Sequence, residues 1–279
     1  MKLVNLRTDF YGKFQLPTLS CMLRISSVTL FLILTACTGV RENPTADKEL
    51  INDVSITTLK NIGAIPTPKG YERVASQPGS FAFWLRNVPL KKDKAVYLYN
   101  GKLKPNQSAQ YAVIDIPVGN KDLQQCADAV MRLRAEYLFA EKKYSAIAFM
   151  DYNGKWYRWL GGSKRPAFDN YLQTVFGWCG SASLEKQLKP VSNFNEITQG
   201  DVFVQGGFPG HAMMVVDIAI NEKGNKVFML AQGYQPAQDM HVVVNPSDEK
   251  MNPWYEVTNI SEVITPEWTF HQSNLKKWE

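Results

Sequence analysis

Apolar and polar positions alternate with changing rhythm along the chain, and the rhythm predicts its elements. Residues 25–36 (ISSVTLFLILTA) form a short, mostly apolar run that follows Arg24 and ends at Cys37. Residues 38–48 are polar, and a globular pattern begins at Ile65-Pro66. Period-two alternation of β-branched and aromatic residues predicts strands at 95–99 (AVYLY), 109–118 and 145–152, with turn signals at Asn100-Gly101 and Asn153-Gly154. Residues 123–143 carry a helical stripe of Leu123, Ala127, Val130, Arg134 and Leu138. Asp122 is placed to cap that helix, with Gln125 reaching back. Asp128, Arg132 and Glu136 recur every four residues as charge pairs on the other face. Further helices are expected at 168–178 and, shorter, after Ser183. Strands follow at 200–204, 211–220, 226–232 and 240–245. Helices first and then a run of strands predict an α+β fold in one domain over 65–270, with N-terminal strands and helices preceding an antiparallel sheet. Residues 271–279 read as a polar tail.

The apolar run at 25–36 changes the picture of location. It is shorter than the about 20 residues that span a bilayer, and it has the length of a signal-peptide core. Leu34-Thr35-Ala36-Cys37 resembles the bacterial lipobox. The resemblance implies a signal segment over 1–36, a lipidated Cys37 and a tether over 37–64. Acyl chains bury methylenes at about 0.8 kcal/mol each, so several chains hold a protein at a membrane surface. Residues 1–21 do not fit a signal, so Met22 is the expected start and the preceding residues an extension of the gene model. The expected location is the cell envelope, with the membrane as partner through the anchor.

Charge excludes one class of partner. Of the formal net charge of +5, the first 36 residues carry +3, from Lys2, Arg7, Lys13 and Arg24 against Asp9. The remainder is nearly neutral and has no electrostatic footprint for nucleic acid. Of the 4 cysteines, Cys21 lies upstream of the cleavage point and Cys37 would be lipidated. Cys126 and Cys179 are left, either paired in an oxidising compartment or buried as small apolar side chains. Cys126, on a helix face, is expected to be buried.

Candidate chemistry gathers near Cys179. This thiol precedes Gly180-Ser181 at a helix–turn–helix junction, where Ser181 or Ser183 can cap the next helix and its dipole would favour thiolate. Downstream, GDVFV at 200–204 leads through the Gly-rich turn 205–210 to His211. His211 opens a strand apolar on both faces, with Met213 and Val215 on one and Ala212, Met214 and Val216 on the other. Such a strand is buried and holds the histidine rigidly. The next strand ends in Gln232. A thiol, a histidine base and a polar side chain that orients the base form the logic of a thiol hydrolase.

This block resembles the papain-like superfamily, in particular its bacterial NlpC and CHAP branches. The matching residues are Cys179, Gly200-Asp201, Gly210-His211 and Gln232, with Gln173 six positions before the cysteine. The resemblance implies Cys179 as nucleophile, His211 as base, Gln232 as orienter and Gln173 as oxyanion donor. It covers about 60 residues. Over most of its length the chain also resembles domain-of-unknown-function family 4846, through SFA at 80–82, LR at 85–86, DLQQCADAVMRLRAEY at 122–137, GDVF at 200–203, PGHA at 209–212, LAQ at 230–232, PAQD at 236–239 and TPEW at 265–268. That family supplies no activity.

Other readings are weaker. The three histidines, His211, His241 and His271, have no metal-ligand spacing, so neither metal nor cofactor is expected. The turn QGGFPG lacks the Lys-Ser/Thr of a phosphate loop and precedes a strand. Trp156, Tyr157 and Trp159 lie near Arg165 and could stack sugars or peptides, or could be core aromatics beside snorkelling arginines. The expected function is that of a membrane-anchored thiol amidase or peptidase acting on cell-wall or periplasmic peptides. The alternative is a non-catalytic surface lipoprotein that binds glycan or peptide.

Overall fold

The computed structural model describes residues 59–258 and 261–279. The signal segment, Cys21, Cys37 and the tether up to residue 58 lie outside the described residues. No helix among the described residues is long and apolar enough to cross a membrane.

The fold is α+β, and an antiparallel sheet of nine strands organises it. Its central strands are β6 (Val202–Gln205), β7 (His211–Asn221), β8 (Lys226–Gln232) and β9 (His241–Val243). On one side β2 (Gln110–Val113) pairs with β9. On the other, β13 (Leu275–Lys277) pairs with β6 and with β5 (Lys189–Pro190). Two short strands add to the middle: β1 (Tyr71–Arg73) pairs with the far end of β7, and β10 (Tyr255–Glu256) pairs with β8. Two small ladders stand apart, β3 (Ala148–Met150) with β4 (Trp156–Arg158), and β11 (Glu262–Ile264) with β12 (Thr269–His271).

The alternation of β7 explains why the sheet is buried on both faces. Ala212, Met214 and Val216 enter the larger core, and Met213 and Val215 enter the second. A bulge between Val215 and Asp217 then shifts the register against β8 and turns Ile218 to the second core. The larger core holds the helices. The longest among the described residues, α2 (Cys126–Ala140), lies against β7 and β8. Around it stand α1 (Phe81–Arg86), α3 (Arg165–Trp178) and α4 (Ser181–Gln187). Each fully buried aliphatic side chain contributes about 1.5–3 kcal/mol, so two apolar faces make β7 the best anchored strand.

Several elements depart from the sequence pattern. Residues 95–99 make isolated bridges instead of a strand, Tyr97 with Leu103 and Leu98 with Gln238, around a turn closed at Gly101. Helix α2 begins at Cys126 and not at Leu123. Its N-cap is Gln125, whose backbone N–H donates to Asp128 Oδ2 at 3.0 Å, while Asp122 accepts from Ala237 N–H at 2.7 Å. The expected polar tail supplies β13, and Leu275 is buried against β6. The expected tether also ends earlier, because Leu59 and Ile62 are core residues.

Candidate functional site

The start of α2 meets the start of β7 and the end of β8, and a cleft of about 550 Å³ opens there. Cys126, Asp128, Cys179, His211, Tyr234 and Trp268 are among its lining residues. Two glycines permit the approach. A Cβ on Gly233, just past β8, would sit 2.8 Å from the Gln125 carbonyl oxygen and 3.0 Å from Ala129 Cβ, so this position lets the strand end against the first turn of α2. A Cβ on Gly210 would fall 2.5 Å from Ser181 Oγ, so the loop before His211 packs directly on the start of α4.

His211 is 1% exposed. Its ring lies among those of Tyr234, Trp268 and Phe270, with centroids at 5.0, 5.3 and 5.8 Å. Its protonation pattern follows from a chain of hydrogen bonds. The Asp239 carbonyl can only accept, so His241 Nδ1 donates to it at 3.0 Å. A neutral His241 then accepts at Nε2, where the Gln232 amide nitrogen lies 3.1 Å away. The same nitrogen donates to Glu267 Oε2 at 2.8 Å. Gln232 Oε1 therefore faces His211 and accepts from its Nε2 at 2.8 Å. His211 carries its proton on Nε2, and Nδ1 is left as the free lone pair. Lys104 holds the outer end of the network through Glu267 at 2.6 Å. Burial draws both histidines down to about 4, and the Lys104 charge acts in the same direction.

Two thiols share this cleft, and both are free. Cys126 is the first residue of α2, where backbone N–H groups lack intrahelical partners and the helix dipole is positive. Burial pushes its thiol up to about 11, with the Asp128 charge adding to the rise. Backbone N–H groups of Ala127, Ala212 and Cys126 itself act on the sulfur in the opposite sense. Ala212 immediately follows His211, so the sulfur lies at the mouth of β7. Cys179 sits at the C-cap of α3, where its N–H donates to the Val175 carbonyl at 2.8 Å. It belongs to the larger core, and burial pushes its thiol up to about 12.

The other sequence candidates separate. Gln173 is exposed on α3 and accepts from Lys121 Nζ at 2.9 Å; it lines a neighbouring cleft, not the one with the thiols. Trp156 is exposed under Arg158, while Trp159 is a core residue whose Nε1 donates to the Gly162 carbonyl. The Tyr157 hydroxyl donates to Asp151, and Arg165 pairs with Glu136 at 2.6 Å. Asp128 is not on an exposed charged face: it is buried in the cleft wall, and Arg132 pairs with Glu136 instead. Sequence reasoning missed Asp128, Glu267 and Lys104 and gave Cys126 only a packing role. The one available signal was a cysteine beside helix-capping residues at the start of the clearest helix.

A family model described as domain of unknown function (4846) matches residues 63–167 and 157–277, so the chain belongs to that family. No curated protein and no solved structure matches the chain.

Proposed function

We propose that this member of family 4846 is an exported thiol hydrolase that cuts amide bonds in cell-envelope peptides, with Cys126 as nucleophile, His211 as base and Gln232 as the residue that orients it. One observation carries the reading: a thiol in the first turn of α2 and a histidine whose proton is fixed on Nε2 by Gln232 line the same cleft. Cys126 takes the place that the sequence suggested for Cys179, because it has both the helix N-terminus and the adjacent backbone of β7.

The chemistry follows from the two protonation states. A thiol raised to about 11 and an imidazole lowered to about 4, both lining one cleft, are a neutral pair, not a thiolate–imidazolium pair. The S–H proton moves to His211 Nδ1 as sulfur attacks the amide carbon. Backbone N–H groups at the start of α2 face the oxyanion. The C–N bond breaks, and the leaving amine takes the proton from His211. Water, deprotonated by His211, then hydrolyses the thioester and restores the thiol. No metal or cofactor is needed for these steps.

Cleavage of muropeptides and simple peptide amides tests this reading. Cys126→Ala is expected to abolish it, whereas Cys179→Ala retains it within a few-fold. Retention in Cys126→Ala overturns the assignment, and no cleavage of any amide by the unmodified protein would favour a non-catalytic binding lipoprotein. The anchor rests on residues 22–37 of the sequence. Labelled fatty acid should enter the native chain and fail to enter Cys37→Ala; equal labelling would remove the anchor.

A further inference from the structure

The cleft contains a carboxyl group that the hydrolytic steps do not use. Asp128 lies two residues after Cys126 in the first turn of α2 and is only 6% exposed. Its Oδ2 accepts the Gln125 N–H, which closes the start of the helix. Its Oδ1 is buried and has no hydrogen-bond partner. A helix cap needs one oxygen, so the cap accounts for half of this side chain. Leaving a buried acceptor unpaired is costly, and such groups in a cleft wall point to a ligand that completes them.

The surrounding charges select that ligand. Among the described residues that line the cleft there is no lysine or arginine, and the formal negative charges are Asp128 and, at the exposed rim, Asp122. An anionic group would meet carboxyls with no counter-charge. Desolvation without a counter-charge holds the Asp128 carboxyl well above the usual carboxylate range, and a cation placed against Oδ1 would favour its ionised form. Trp268 also lines the cleft, and its indole Nε1 is likewise buried without a partner. One orphan acceptor and one orphan donor match a peptide unit that carries an amine and a carbonyl oxygen.

We infer that Asp128 is a specificity residue that receives a protonated free amino group of the substrate close to the bond that Cys126 attacks. The substrate class is then a peptide or amide with an unblocked amine, and N-acylated chains are poor substrates. Trp268 Nε1 donates to a carbonyl of the same ligand. This rests on the reading of the cleft as a peptide site, yet it can be tested without turnover.

Titration calorimetry on the full-length Cys126→Ala protein compares the dipeptide alanyl-alanine with its N-acetyl form. The free amine should bind about tenfold more tightly or better. Asp128→Asn keeps an oxygen for the Gln125 N–H and should reduce that preference to threefold or less, with N-acetyl binding little changed. Equal affinity of the two peptides for the Asp128-containing protein overturns the inference, as does no binding of the free dipeptide at millimolar concentration. That comparison needs no further variant. A preference that survives in Asp128→Asn also overturns it. Amine preference without cleavage of any amide sinks the hydrolase and leaves the amine site. Cleavage without amine preference does the reverse.

Discussion

The two ends of β7 carry buried polar groups of opposite character. At the far end, Asp217 is completely buried, and both of its oxygens are taken. Arg73 Nε reaches Oδ2 at 2.6 Å; Arg86 Nε at 2.7 Å, Gln199 Nε2 at 2.7 Å and the Ile218 N–H at 2.9 Å reach Oδ1. At the near end, His211 keeps a free nitrogen, Cys126 keeps a thiol, and Asp128 Oδ1 and Trp268 Nε1 lack partners. Saturation of this kind ties β1 and α1 to the sheet and leaves nothing for a ligand. The unfilled hydrogen-bonding capacity lies where the cleft opens. Burial alone therefore does not mark a site; burial with unused capacity does.

Removing the saturated carboxylate should produce the larger effect. Asp217→Ala leaves the Arg73 and Arg86 guanidinium groups without their shared counter-charge in a mostly buried setting, a change that costs about 3–5 kcal/mol. Urea unfolding of the variant should show that loss, while the Cys126-dependent cleavage per folded molecule stays unchanged. A loss below about 1 kcal/mol would mean that water already screens the cluster, and the two ends of β7 would no longer differ in the way described.

The same contrast explains what could be read from the sequence. The apolar parts were legible because their patterns are long: β7 is apolar on both faces, β8 is a run of apolar residues, and α2 carries a long stripe, whereas the partners of Asp217 come from distant segments that no local pattern joins. Short elements were not legible either. Helix α1 has six residues, and β5, β10, β11, β12 and β13 have two or three each, too few for a period to stand out. The Lys276-Lys277 pair made β13 look like a tail, although Leu275 packs against Phe203. At the site, His211 and Gln232 were legible because a strand opens with one and another closes with the other. The thiol was harder. A helix start placed at Asp122 puts Cys126 inside the first turn on a packing face, and only a start at Gln125 makes it the first helical residue. Asp128 was obscured by its spacing to Arg132, which suggests a surface pair that the fold does not make. Lys104 and Glu267 are 163 positions apart, and no local pattern joins them.

Acid should sharpen the comparison from the other end, with a smaller effect. His211 has a folded-state value of about 4 against an unfolded value near 6.5. Its neutral form belongs to the fold, so its contribution is fully present above about pH 6.5 and is lost as pH falls toward 4. At about 1.36 kcal/mol per unit this amounts to about 3 kcal/mol. His241, also drawn down to about 4, behaves in the same way. Asp201, pushed up to about 6 by burial, runs in the opposite direction: its contribution is present at low pH and lost as pH rises from about 3.8 to 6. The raised Asp128 shares that sign. These opposed slopes partly cancel in the unmodified protein, so the informative quantity is a difference. His211→Gln removes one acid-sensitive group, and between pH 7 and pH 4 its unfolding free energy should fall by about 3 kcal/mol less than that of the unmodified protein. Parallel pH curves for the two proteins would show that His211 is hydrated in solution. The near end of β7 would then be an open surface and not a site held dry by Tyr234, Trp268 and Phe270.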